Sequence, residues 1–203
     1  MFTFSYAKIK KYAYCICALP FIVFAIGWLK WYWAVVAVIA IFVCVYSGVF
    51  QNEKEQLEDN ENISVKPVIF AVVAAITLFW VWQSGMGGFW AQSSDYPWRN
   101  AIYRDIVLRD WPVFYEKYGG ALVYYIGFWL VPALFGKIAL FLGAGSELAF
   151  QVASVAVFVW TILLIMILFS LLFTLLHADT SKKQLLVVLG FIFFSGMDKL
   201  VVV

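Results

Sequence analysis

Long apolar runs separated by short polar breaks set the pattern of this chain. A membrane-crossing helix needs about 20 mostly apolar residues. Six runs meet or approach that length: Tyr12–Leu29, Trp31–Phe50, Pro67–Ser84, Ala121–Leu142, Leu148–Leu176 and Leu185–Val203. The pattern predicts an all-α polytopic membrane protein of about six transmembrane helices, with one amphipathic surface helix in the loop after the third. The first two runs meet at a tight turn, Leu29-Lys30, so residues 1–50 read as a transmembrane hairpin. Residues 51–66 form an acidic linker free of aromatics, and a second unit occupies 67–203. The fifth run is overlong and is expected to tilt or project beyond the bilayer. Tryptophan and tyrosine gather at the run ends (Tyr12, Tyr14, Trp28, Trp31, Trp33, Trp80, Trp82, Trp129), as interfacial aromatics do.

Composition agrees. Hydrophobic residues make up 65% of the 203 residues and charged residues 13%, so lipid must solvate most of the surface. The net charge of +2 gives no footprint for nucleic acid, which is excluded as a partner. Cys15, Cys17 and Cys44 lie inside apolar runs without metal-ligand spacing and read as small hydrophobes. One histidine, His177, leaves no material for a His-rich metal site. The basic start followed by an apolar run resembles a secretion signal. With no small-residue cleavage site after it, the run reads as a retained first helix.

Lys8, Lys10 and Lys11 precede the first run, so the positive-inside rule places the N-terminus in the cytoplasm. Counting runs then puts the linker inside and Gly85–Gly119 outside. Lys137 is expected to snorkel to the inner interface, whereas Lys182 and Lys183 fall outside, against the rule. The chain stops at Val203 within an apolar run, which predicts that the unit beginning at Pro67 belongs to a longer protein.

Gly85–Gly119 is the polar exception. It holds Asp95, Asp105, Asp110 and Glu116 with Arg99, Arg104, Arg109 and Lys117, four charges of each sign. Gly85, Gly87 and Gly88 break the third run. Ser94 or Asp95 then reads as an N-cap with Pro97 in the first turn, opening an amphipathic helix from Trp98 to about Asp110. Trp98, Ala101, Ile102 and Ile106 share one face, expected to lie on the membrane with the charged face toward water. Asp95/Arg99 and Asp105/Arg109 are i, i+4 pairs with the acid first. Asp95 reads either as a helix cap or as a carboxylate placed to deprotonate an acceptor hydroxyl or bind a cation. Arg99, Arg104 and Arg109 read either as headgroup contacts and pairing partners or as a phosphate-recognition set. Asp105 and Asp110 are their expected pairing partners. No P-loop, H-E-x-x-H, G-x-S-x-G or C-x-x-C motif is present, so ATP-driven transport and metalloprotease chemistry lack local support.

Three segments carry a family resemblance: Gln92-Ser93-Ser94-Asp95-Tyr96-Pro97-Trp98, Trp111-Pro112-Val113-Phe114-Tyr115, and Leu122-Val123-Tyr124-Tyr125 through Pro132-Ala133-Leu134-Phe135-Gly136-Lys137. Together with the long fifth run, they resemble the outer loop and re-entry segment of GT-C membrane glycosyltransferases, over roughly Pro67 to Val203. The resemblance implies transfer of sugar from a polyprenyl-phosphate donor at the outer face of a bacterial cytoplasmic membrane, in service of the cell envelope. It implies Asp95 as the acceptor-activating base and Arg99 and Arg104 as carrier-phosphate contacts; Arg109 joins the phosphate set on its residue type alone. No cofactor is called for, although a divalent cation fits the family. The chain departs from the family in having Tyr96 where many members carry a second acid, and in its extra N-terminal hairpin. The competing reading is a non-catalytic scaffold that docks a membrane protein partner through Phe89, Trp90, Tyr96, Trp98, Trp111 and Tyr115. A transporter is disfavoured by the few charges within the runs and by the lack of an internal repeat.

Overall fold

The computed structural model describes residues 2–51 and 62–195. Helices dominate: α1 (Tyr6–Trp28), α2 (Trp31–Tyr46), α3 (Pro67–Gln83), α4 (Tyr96–Leu108), α5 (Gly127–Phe141), α6 (Ser146–Leu175) and α7 (Ser181–Ser195). The turn at Leu29-Lys30 is as tight as expected, with both residues extended between α1 and α2. Among the described residues, three helices are long and apolar enough to cross a bilayer: α1, α2 extended to Val49, and α6. Their outward side chains, such as Phe21, Ile26, Ile39 and Phe42, are exposed, as lipid-facing residues are. The all-α membrane reading therefore stands, with three helices of crossing length and composition among the described residues. The linker from 52 to 61 and the end of the sixth run, from 196 onward, lie outside the described residues.

α6 is the axis of the molecule, 30 residues or about 45 Å long. One core surrounds its second half: Ile63, Val65, Val73, Phe169, Phe173, Ala178 and Val188, drawn from the linker strand, α3, α6, the turn after it and α7. A second core surrounds its first half: Tyr103, Ile106 and Val107 of α4, Trp129, Leu130 and Ala133 of α5, and Ala153 and Val157 of α6. Full burial of Ile106 and Leu130 contributes about 1.5–3 kcal/mol each. Buried or half-buried hydroxyls are satisfied within their own helices, as Thr77 Oγ1 donates to the Val73 carbonyl at 2.8 Å and Ser170 Oγ to Met166 at 2.8 Å.

The fourth run departs most from expectation. Only Gly127–Phe141 is helical, 15 residues, and it runs antiparallel to the first half of α6 alone. Gly136 makes the contact close, because a Cβ there would lie 2.7 Å from Val107 Cγ1 and 2.8 Å from the Ala149 carbonyl oxygen. α5 thus packs on the same half of α6 that carries α4. Two placements follow. Lys137 does not snorkel to the N-terminal face; its Nζ donates to the Arg109 carbonyl at 2.6 Å and lies 5.0 Å from the Trp111 ring centroid. Lys182 and Lys183 come to the end that bears the N-terminus, where buried Gln184 donates to the Ser64 carbonyl at 3.2 Å.

Two short antiparallel ribbons were not expected. β1 (Phe2–Ser5) pairs with β2 (Asn62–Val65), clipping the N-terminus to the residues that lead into α3. β3 (Phe114–Tyr115) pairs with β4 (Gly120–Ala121), folding residues 113–122 back along α4.

Candidate functional site

The polar exception folds where α3 ends. Gly85, Gly87 and Gly88 all have positive φ, as the predicted break requires. At Gly87 the loop presses onto α6, so that a Cβ would sit 2.7 Å from the Ser154 carbonyl oxygen. Side chains then tie the loop shut. Gln92 Nε2 donates to the Gly85 carbonyl at 2.7 Å, and Asn100 Nδ2 donates to Gln92 Oε1 at 2.8 Å. The Tyr96 hydroxyl donates to the Ser84 carbonyl at 2.6 Å, and its burial raises the phenol pKa. This network fixes the first turn of α4 and with it Asp95.

Asp95 occupies the N-cap position, but its side chain makes no capping bond. The carboxylate is 72% exposed and meets Arg99 at 3.8 Å, too long for a hydrogen bond, so either group can exchange its partner for a ligand. The three arginines do not converge. Arg104 pairs with Glu147 on α6 and stacks over Phe150. Arg109 donates to Asp105 at 2.9 Å and lies over the Tyr115 ring. Tyr115 donates to the other oxygen of Asp105 at 2.6 Å; desolvation and this bond push its pKa up to about 12. Arg99 alone stays next to Asp95. Asp105 is thus the pairing partner expected of it, whereas Asp110 acts through its charge on Lys137.

α4 itself spans Tyr96–Leu108, ending before Trp111-Pro112 as expected. Its buried face differs from the predicted one. Tyr103, Ile106 and Val107 pack against α5 and α6, with the Tyr103 hydroxyl donating to the Ala153 carbonyl at 2.7 Å. Trp98, at 76% exposed, and Ala101 point away. The helix is docked on protein, and only its outer face is left for membrane, water or a partner.

Within charge reach of Asp95 and Arg99 rises an aromatic ladder. Tyr125 and Tyr124 stack at 3.9 Å between centroids, and Tyr124 lies 5.9 Å from Trp129 with their planes within 8°. Trp129 continues to Tyr103 at 6.3 Å, and Tyr103 to Phe150 at 5.9 Å. Tyr125 and Tyr124 are exposed, Trp129 and Tyr103 buried, and Phe150 half-buried. The Tyr124 phenol is raised chiefly by its hydroxyl contact with Tyr125; Arg99 opposes the shift and Asp95 adds to it, so the pair and the ladder share one electrostatic neighbourhood.

Sequence reasoning selected Asp95 and Arg99 but not Tyr124, Tyr125, Gln92, Asn100 or Glu147 as members of one neighbourhood. The Tyr-Tyr doublet two residues before Gly127 was the available signal for the ladder. Glu147 had none, being 43 residues from its partner. Among the described residues no three His, Cys, Asp or Glu side chains cluster as a metal site. Chemically, the arrangement offers one accessible carboxylate, one adjacent guanidinium and a flat aromatic surface in one electrostatic neighbourhood. No family model, curated protein or solved structure matches this chain.

Proposed function

We propose that this chain acts as a membrane glycosyltransferase of the GT-C type, moving a sugar from a polyprenyl-phosphate donor to an acceptor at the membrane end that carries Asp95. The observation that carries the reading is the Asp95–Arg99 pair, solvent-reachable, loosely joined and held by the Ser84–Gln92–Asn100–Tyr96 network. In the proposed step, Asp95 accepts the proton of the acceptor hydroxyl as that oxygen bonds to the anomeric carbon. The bond from that carbon to the carrier phosphate breaks, and the phosphate leaves with its electron pair toward Arg99. Arg104 and Arg109 have close carboxylate partners of their own, so Arg99 is the guanidinium assigned to the leaving group and the other two serve to hold α4. The N-terminus is assigned to the cytoplasm, a placement supported by Lys182 and Lys183 joining Lys8, Lys10, Lys11 and Lys66 at that end. A divalent cation is not required by this step.

The test is Asp95→Asn in the full chain, assayed in membrane vesicles with a radiolabelled polyprenyl-phosphate hexose. Turnover should fall by about 10²-fold or more, with insertion unchanged. Transfer at the wild-type rate would remove Asp95 from the chemistry. The scaffold reading draws on exposed Trp98, Trp90 and Phe89; a stoichiometric membrane partner lost on Trp98→Ala, together with no lipid-sugar binding, would favour it.

A further inference from the structure

We infer that the Tyr124–Tyr125 face is a pyranose-binding platform that sets a sugar ring beside Asp95; the inference deepens the transferase reading and rests on it for its chemistry. The surface is aromatic, exposed and rigid at once. Tyr125 is 64% exposed, yet its ring is not loose: it stacks on Tyr124 at 3.9 Å and approaches Trp129 at 6.1 Å. Trp129 is itself buried among Leu130, Ala133, Ala153 and Val157. The backbone is fixed too, because Ile126 N–H donates to the Tyr124 carbonyl at 2.9 Å and Trp129 N–H to Ile126 at 2.9 Å, winding the doublet onto the start of α5. A preorganised aromatic face costs little conformational entropy on binding.

The chemistry around that face selects its occupant. A flat π surface takes the C–H face of a saturated ring, with weak C–H contacts to the electron-rich ring plane. The two phenol hydroxyls meet at its edge, supplying donors and acceptors in one place. Asp95 and Arg99 act electrostatically on Tyr124, so a carboxylate and a guanidinium lie within charge reach of these phenols. A hydrocarbon chain would use the rings and leave all four polar groups without a role. A bare phosphate would use Arg99 and leave the rings without one. A hexopyranose, apolar on one face and hydroxylated around its rim, uses both. It arrives either on the lipid-linked donor or on the acceptor.

The test is binding rather than turnover. The full chain in lipid nanodiscs is titrated with a short-chain polyprenyl-phosphate hexose and, separately, with a methyl hexopyranoside, following saturation-transfer NMR from the aromatic protons. Wild-type protein should bind at least one of the two saturably. Tyr125→Ala should weaken that ligand by about tenfold, whereas Tyr125→Phe, which keeps the ring, should stay within about threefold. Loss with the lipid-linked ligand alone assigns the platform to the donor, and loss with the glycoside assigns it to the acceptor. Because Tyr125 is exposed, an unchanged melting temperature for Tyr125→Ala confirms that the fold is intact. Wild-type affinity in Tyr125→Ala, or no saturable binding of either ligand by the wild type, overturns the platform. Asp95→Asn keeps the two ideas apart: sugar binding retained by a variant that also turns over normally would leave the platform standing and remove the catalytic assignment.

Discussion

The placement of α5 can be tested by labelling, and the magnitudes favour a helix that stays at one end of α6. Fifteen helical residues reach about 22 Å, against about 30 Å of hydrocarbon. To cross, α5 would have to absorb residues 121–126, dissolving the β3–β4 ribbon and the Ile126–Tyr124 turn. It would also have to withdraw Trp129, Leu130 and Ala133 from the core they share with Tyr103 and Ile106. The mismatch alone, about 8 Å at a fraction of a kcal/mol per Å, costs a few kcal/mol, and the close packing of Leu130 in its core would be lost besides. The experiment replaces Cys15, Cys17 and Cys44 and introduces single cysteines at Ser94, Ser146 and Thr180, all exposed. In sealed cells an impermeant maleimide should treat positions 94 and 146 alike and position 180 oppositely. If 94 and 180 label together and 146 alone differs, α5 crosses and the placement of Lys182, Lys183 and α7 falls with it. The comparison holds whichever end faces the cytoplasm.

Two further outcomes are expected. Gly136→Ala places a methyl 2.8 Å from the Ala149 carbonyl oxygen, a backbone atom that cannot step aside. Overpacking of about 1–3 kcal/mol should exceed the gain of about 1 kcal/mol in helix propensity, so the melting temperature in detergent should fall; a rise would mean that α5 and α6 are not in close contact. Desolvation of the Tyr115 phenol, with its bond to Asp105 second, gives alkaline dependence. Tyr115 is raised in the folded state from 10.0 to about 12, so its contribution is whole below pH 10 and is lost as pH climbs toward 12. Alkaline melting of Asp105→Asn should show this component reduced, and identical profiles for variant and wild type would place the Tyr115 hydroxyl elsewhere.

What the sequence disclosed, and what it withheld, follows from where polar residues break the apolar pattern. Gly85 and Gly87, the Pro97 start, the Trp111-Pro112 stop and the two Asp/Arg pairs are local features, readable within a turn or two, and each is in place. The crossings were harder. In a chain so uniformly apolar, length is the main evidence for a span, and Ala121–Leu142 supplied the length while Gly127–Phe141 alone supplied helix. The buried face of α4 was misread for a related reason. Trp98, Ala101, Ile102 and Ile106 form a valid stripe, but so do Tyr103, Ile106 and Val107, and hydrophobicity cannot choose between two stripes that overlap at Ile106. The choice is made by polar groups far away in sequence: the Ala153 carbonyl that receives the Tyr103 hydroxyl, and Glu147, which receives Arg104. In lipid, where apolar contacts with tails and with helices differ little, such pins carry more of the orientation than the hydrophobic stripe does. The same logic explains the site. Asp95 was legible as a carboxylate near the membrane because it is polar where its neighbours are not, while the Tyr124–Tyr125 face was hidden among twenty phenylalanines, eleven tyrosines and ten tryptophans until the fold seated it on Trp129.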